Sequence, residues 1–97
     1  LPSGRINRRG GPHQLRLYVA GSSPRSLRAI QNVTRLCESE IPGRYNLEVV
    51  DIYKEPRRAT TDQVVAIPTL IKQAPGLVRR MIGDLSEAAL LRHGLGI

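Results

Sequence analysis

Ninety-seven residues, 40% apolar and 24% charged, make one small soluble domain, and no apolar run reaches the roughly 18 residues that read as a membrane span. A single cysteine cannot close an internal disulfide, and with no apolar leader run the chain is expected to be cytoplasmic. Fifteen Lys+Arg against eight Asp+Glu give +7, and 13 of the bases are arginine, the side chain that suits carboxylate, phosphate and aromatic partners.

Residues 1–13, LPSGRINRRGGPH, hold Gly, Pro, Arg and Asn with no apolar period, which predicts a flexible basic arm ahead of an ordered domain over 14–97. Leu15, Leu17 and Val19 alternate at the strand period until the run breaks at Gly21. Ser23 supplies an N-cap hydroxyl and Pro24 a first helical position. Leu27, Ile30, Val33, Cys37 and Ile41 then recur every three or four residues up to Pro42-Gly43, predicting a helix over 24–41. The run YNLEVVDIY at 45–53 is β-branched and aromatic with apolar positions on both faces, so it reads as a strand at or near the centre of a sheet. A connection this long between two strands calls for a right-handed parallel crossover, and the chain opens as βαβ.

Glu55-Pro56 starts a weaker helix over 57–66, where two threonines and Asp62 lower the propensity. From Thr69, two antiparallel strands follow, joined at Pro75-Gly76, since proline presets a turn and glycine accepts positive φ. Gly83-Asp84-Leu85-Ser86 caps a last helix over 87–93, with Gly94 as its C-cap glycine. The predicted order is βαβαββα.

That order is the topology of the thioredoxin fold, and Ile67-Pro68-Thr69-Leu70 resembles that fold's proline motif, in which the bond before proline is cis. A thioredoxin-type oxidoreductase needs two thiols at the first strand-to-helix junction; here that junction is Gly21-Ser22-Ser23-Pro24, which excludes dithiol exchange. Cys37 lies more than three turns along the helix on its apolar face and reads as packing.

The match sharpens in one family. Leu15-Arg16-Leu17-Tyr18-Val19-Ala20-Gly21, Pro24 with Ser26, Pro42-Gly43 before Tyr45, Val49 with Asp51, Pro68-Thr69-Leu70, and VRRMIGDLS from Val78 to Ser86 together resemble the KaiB family of circadian clock proteins, over roughly residues 14–96. The resemblance implies a non-enzymatic regulator without a cofactor that exists in two folds. One is a ground state, usually a dimer or tetramer, which keeps the first βαβ and rearranges the second half. The other is a thioredoxin-like monomer that binds a KaiC-like hexameric ATPase, and βαβαββα describes this binding-competent state. The candidate fold-switch positions are Pro68, Pro75, Gly94, which matches the glycine of the family's ground-state turn, and Gly96, which stands where the family carries aspartate.

The same resemblance makes the second-strand edge and the second helix the partner-facing surface, here Asn46, Glu48, Lys54, Asp62 and Gln63. Lys54 and Asp62 keep the family residue type. Glu48 and Gln63 stand where cyanobacterial relatives look basic, and this reversal on an exposed edge, with the absence of those relatives' acidic tail, argues against KaiA as a partner.

Arg28, Arg57, Arg79 and Arg80 are carried as further candidate contacts. Arg79-Arg80 on a strand put one guanidinium on each face, with surface solubility and a partner or subunit contact weighing equally. Arg57-Arg58 open a helix where cations oppose the macrodipole, and a solvated pair outweighs contact with an acidic surface. Arg28, on the first helix, reads as outward and solvated. The alternative function, from another class, is a basic thioredoxin-fold module that binds nucleic acid through Arg5, Arg8 and Arg9 of the arm. Against it stand only three aromatics (Tyr18, Tyr45, Tyr53) and no helix-turn-helix or zinc pattern. His13 and His93, eighty residues apart, make no metal site, and no Ser-His-Asp constellation or glycine-rich phosphate loop is present.

Overall fold

The computed structural model describes Gly4–Arg5 and residues 12–97. A two-residue strand, β1 (Gly4–Arg5), precedes β2 (His13–Val19), α1 (Pro24–Glu40), β3 (Tyr45–Asp51), α2 (Pro56–Thr61), β4 (Thr69–Ala74), β5 (Arg79–Ile82) and α3 (Ala88–Leu95). The sheet order is β1-β3-β2-β4-β5, with β2 and β3 parallel and the other pairs antiparallel. From β2 onward this is the predicted βαβαββα.

The alternation in β2 and β3 sorts side chains onto two faces. Leu15, Leu17 and Val19 line up with Leu47, Val49 and Leu70, and this layer packs against Ala29, Val33, Leu36 and Cys37 of α1 and Leu91 and Leu95 of α3. Tyr18, Val50 and Ile71 form a smaller cluster on the opposite face, closed by Ile52, Ala59, Val64 and Ile67. Ser23 caps α1 as expected, its side chain accepting from the Ser26 N–H, with Pro24 in the first turn. The peptides before Pro68 and Pro75 are both cis. Lys72 is buried on the core side of β4, and its Nζ donates to the carbonyls of Pro75 and Leu77 (2.7 Å for the latter), which ties the hairpin loop to the strand.

β3 sits beside the central strand β2, near the centre of the sheet as expected, with β1 on its other side and apolar residues buried on both of its faces. Several boundaries differ from expectation for physical reasons. β3 stops at Asp51, whose carboxylate accepts from the Gly21 and Tyr53 amides (3.1 and 2.9 Å) and folds the chain into a turn. The second helix ends at Thr61 instead of 66, because Gln63 takes a left-handed φ of 55°. The last helix begins at Ala88 with Glu87 at its N-cap and no side-chain cap; Asp84 instead accepts from the Ser86 amide (3.1 Å). Its C-cap glycine is Gly96, with φ 76°, not Gly94, which lies inside the helix packed on Met81. In the expected arm, His13 already belongs to β2 and is buried, and Gly4–Arg5 pair with β3. Apart from these and Pro12, the arm lies outside the described residues.

Candidate protein-binding face on α2 and β3

Arg16 and Tyr18 alternate with the core leucines of β2 and therefore point to the α2 face, and Glu48 of β3 stands in register with Arg16. Arg58 and Asp62, four residues apart, reach the same place from α2 and its C-cap. Arg58 grips Glu48 through both nitrogens (2.6 and 2.8 Å) and also reaches Glu55 (3.4 Å). Arg16 bridges Glu48 (3.2 Å) and Asp62 (2.9 Å), while the Tyr18 hydroxyl donates to Asp62 with the Arg58 carbonyl oxygen 3.0 Å away. Six side chains, from β2, β3 and α2 with its two caps, thus form one continuous network.

The network sets its own electrostatics. The Arg58 hydrogen bonds, opposed by burial and helped by Arg16, hold the Glu48 carboxyl down at about 2. Burial works against ionised Asp62, but the Tyr18 and Arg16 hydrogen bonds prevail and keep its carboxyl below the usual range. Burial, reinforced by Asp62, pushes the Tyr18 phenol up to about 12. The hydrogen bonds to Glu48 raise Arg58 above its ordinary value. A shallow cavity of about 160 Å³ opens over the network, lined by Arg16, Tyr18, Arg57, Arg58, Thr61 and Asp62.

Glu48, Asp62, Gln63 and Arg80 come together here. Arg80 donates to the Gln63 carbonyl (3.2 Å) and to that of Asp62, so β5 is tied to the end of α2. Asn46 donates to Gln14 (3.0 Å) further along the same face. Lys54, in the turn after β3, and Arg57, at the start of α2, are exposed, and neither side chain has a partner among the described residues. Arg79 is exposed on the other face of β5, and Arg28 lies apart on α1, paired with Asp84 (3.3 Å). Pro68 and Gly94 are buried, whereas Pro75 and Gly96 are exposed.

Two readings need correction. Glu48 is not a mismatched acid on an open edge, because two arginines neutralise it within the fold. Arg57 and Arg58 are not a solvated pair: Arg58 turns inward as the main partner of Glu48. Arg16 and Tyr18 were absent from the candidate residues although they hold the network together. Their polar placement on the half-covered face of a strand was the available signal. The nucleic-acid reading gains nothing, since of the arm's three arginines only Arg5 belongs to the described residues, and its backbone pairs with β3.

The first strand-to-helix junction carries serines in a closed arrangement, Ser23 and Ser26 hydrogen-bonded at 2.8 Å and Ser26 accepting from the Ala20 amide at 3.0 Å. Cys37 is fully buried on α1, and burial pushes its thiol up to about 12, far from the thiolate that exchange chemistry needs. Among the described residues no group of His, Cys, Asp or Glu could hold a metal ion, and no helix is long and apolar enough to cross a membrane.

Solved structures of similar shape include the N-terminal domain of SasA from Synechococcus elongatus, with a TM-score of 0.71 and 24% identity over 89% of this chain and 85% of that one. Mitochondrial thioredoxin 3 from Saccharomyces cerevisiae matches at 0.70 and 17%, over 89% and 78%. At these identities the likeness establishes the thioredoxin-like fold. Sequence relatives are more specific. A circadian clock protein KaiB3 of Synechocystis is 42% identical over 83 residues, 86% of this chain and 81% of the relative. A circadian clock oscillator protein KaiB of Prochlorococcus marinus strain MIT 9312 is 45% identical over 83 residues, 86% and 79%. The KaiB domain model matches residues 16–97, from within β2 through the last helix, and the chain belongs to the KaiB family.

Proposed function

We propose that this chain is a non-catalytic KaiB-type clock or timer regulator, which binds a KaiC-like hexameric ATPase in its thioredoxin-like state. The observation that carries the reading is the α2 face. There the family's expected partner-facing positions Glu48, Asp62 and Gln63 converge on one network, with Lys54 and Arg57 left exposed beside it. A surface with satisfied charges at its centre and free cations at its rim suits an acidic protein surface, the rim steering encounter and the centre fixing shape.

The second half of the chain is the part that rearranges in a free dimer or tetramer. Its lighter packing supports this: α2 buries no residue, and every position of β5 except Met81 is exposed. Dithiol exchange is no part of the role, because the thioredoxin junction offers serines in place of thiols.

Size-exclusion chromatography of this chain with its host's KaiC-like ATPase, after hours with ATP, tests the proposal. Slow appearance of a large complex is expected, weakened about tenfold or more by a combined Lys54→Ala and Arg57→Ala change, in line with loss of steering and rim contacts. Absence of a complex under every nucleotide state would overturn the reading.

A further inference from the structure

β5 closes the sheet on the side away from β3, and among the described residues it pairs only with β4. The Gly83 amide donates to the Pro68 carbonyl (3.0 Å), and bonded and unbonded pairs alternate along an antiparallel ladder. Arg79 and Met81 therefore turn their amides and carbonyls to β4, opposite Lys72 and Leu70, while those of Arg80 and Ile82 face outward from the edge. Outward-facing groups of this kind are a template for a further strand.

The surroundings of the edge define which strand fits. A cavity of about 290 Å³ opens between the end of β5 and α3, with Met81, Leu85, Leu90 and Leu91 in its wall. Asp84 and Glu87 also line it, so an uncharged apolar side chain suits it better than an acidic one. Along the strand, Arg79 and Arg80 are flanked by Val78 and Ile82, each 63% exposed. Arg80 donates only to the backbone carbonyls of Gln63 and Asp62, and neither arginine has a carboxylate partner among the described residues.

We propose that the open edge of β5 binds an extended strand of a partner protein, running antiparallel to β5 and carrying two apolar residues followed by two acidic ones. The apolar residue opposite Met81 then lies on the α3 side of the sheet, where the cavity opens, and the acidic pair stands opposite Arg80 and Arg79. A second copy of this chain is a poorer occupant, because its β5 would bring two more arginines to a cationic edge. The surface lies across the sheet from the α2 and β3 face, and its test does not use the ATPase.

The test uses the full chain and two end-blocked peptides, TVLEEVT and TVLKKVT. TVLEEVT is expected to slow hydrogen exchange at the Arg80 and Ile82 amides, to leave those of Arg79 and Met81 unchanged, and to bind about tenfold or more tightly than TVLKKVT. Arg79→Glu is expected to remove that preference, and Leu90→Gln, at an exposed position, to weaken TVLEEVT about threefold or more. No slowing at these two amides at about 1 mM TVLEEVT, or slowing along β3 instead, would overturn the site. Equal affinity of the two peptides, or a preference untouched by Arg79→Glu, would overturn the acidic pairing, and full affinity in Leu90→Gln would overturn the cavity as anchor. Slowing at the same amides on concentrating the chain alone would show a second copy as the occupant and overturn the partner strand.

Discussion

Gly94 shows how a single residue takes its meaning from packing. It lies within α3, where alanine is worth about 1 kcal/mol more than glycine in a helix interior. Yet a Cβ there would collide with Met81 Sδ and sit 3.1 Å from both Cγ and Cε of that side chain. Met81 is packed against the main core, so it cannot simply swing into solvent. Gly94→Ala is expected to cost about 1–2 kcal/mol, the low end for overpacking. In a Met81→Ala background the same change should instead stabilise, by up to about 1 kcal/mol from helix propensity. Urea denaturation of the four chains measures both values, and an identical effect in the two backgrounds would show that α3 meets β5 in some other way. The sequence marked Gly94 as a helix terminator because glycine near a helix end is usually one. What it could not reveal is that Gly96, two residues on, takes the left-handed position and leaves Gly94 to serve close approach.

At the scale of elements, α2 is a helix held by charge. It buries no residue completely and has no side-chain cap, but Arg58 and the C-cap Asp62 bind it to β2 and β3. Because the folded-state Glu48 carboxyl is depressed from 4.5 to about 2, its ionisation stabilises the fold fully above about pH 4.5, and that contribution disappears as pH falls towards about 2. Screening at this half-buried site leaves about 1–2 kcal/mol tied to it. Stability measured by urea at about pH 7 and about pH 3 should therefore fall less on acidification in Glu48→Gln and in Arg58→Ala than in the unaltered chain, by somewhat more than half of that amount, since at about pH 3 the folded carboxyl is still mostly ionised. Parallel pH dependences in all three would mean that the network adds no stability. The strands, α1 and the hairpin could be read from the chain because their burial periods are local. The network could not, because its hydrogen bonds join residues 32 and 46 positions apart and depend on the β2–β3 register. Period alone also placed β3 at or near the centre of the sheet, because its apolar residues are buried on both faces, and it lies beside the central strand β2.

Over the whole molecule, packing is divided unequally between the two halves of the chain. Apart from Leu70, Leu91 and Leu95, the main core belongs to β2, α1, β3 and the residue that closes α1, Ile41. Val65, Leu77, Val78, Ile82 and Leu90, all in the second half, are large apolar side chains at least 63% exposed. Local opening is easiest where few apolar contacts must be broken, so native-state hydrogen exchange should divide the molecule at about Asp51. Amides of β2, α1 and β3 should exchange only through global unfolding. Those of α2, β5 and α3 should exchange through a smaller opening, with protection lower by roughly tenfold or more. β4 should group with the first half, because it pairs with β2 from Thr69 to Ala74 and its first four residues are buried. This pattern would place the loosened elements in the same half that the proposed two-state behaviour requires to rearrange, with α2, the element bearing part of the partner face, among them. Uniform protection across both halves would contradict it, and the second half would then have no route to another arrangement short of complete unfolding.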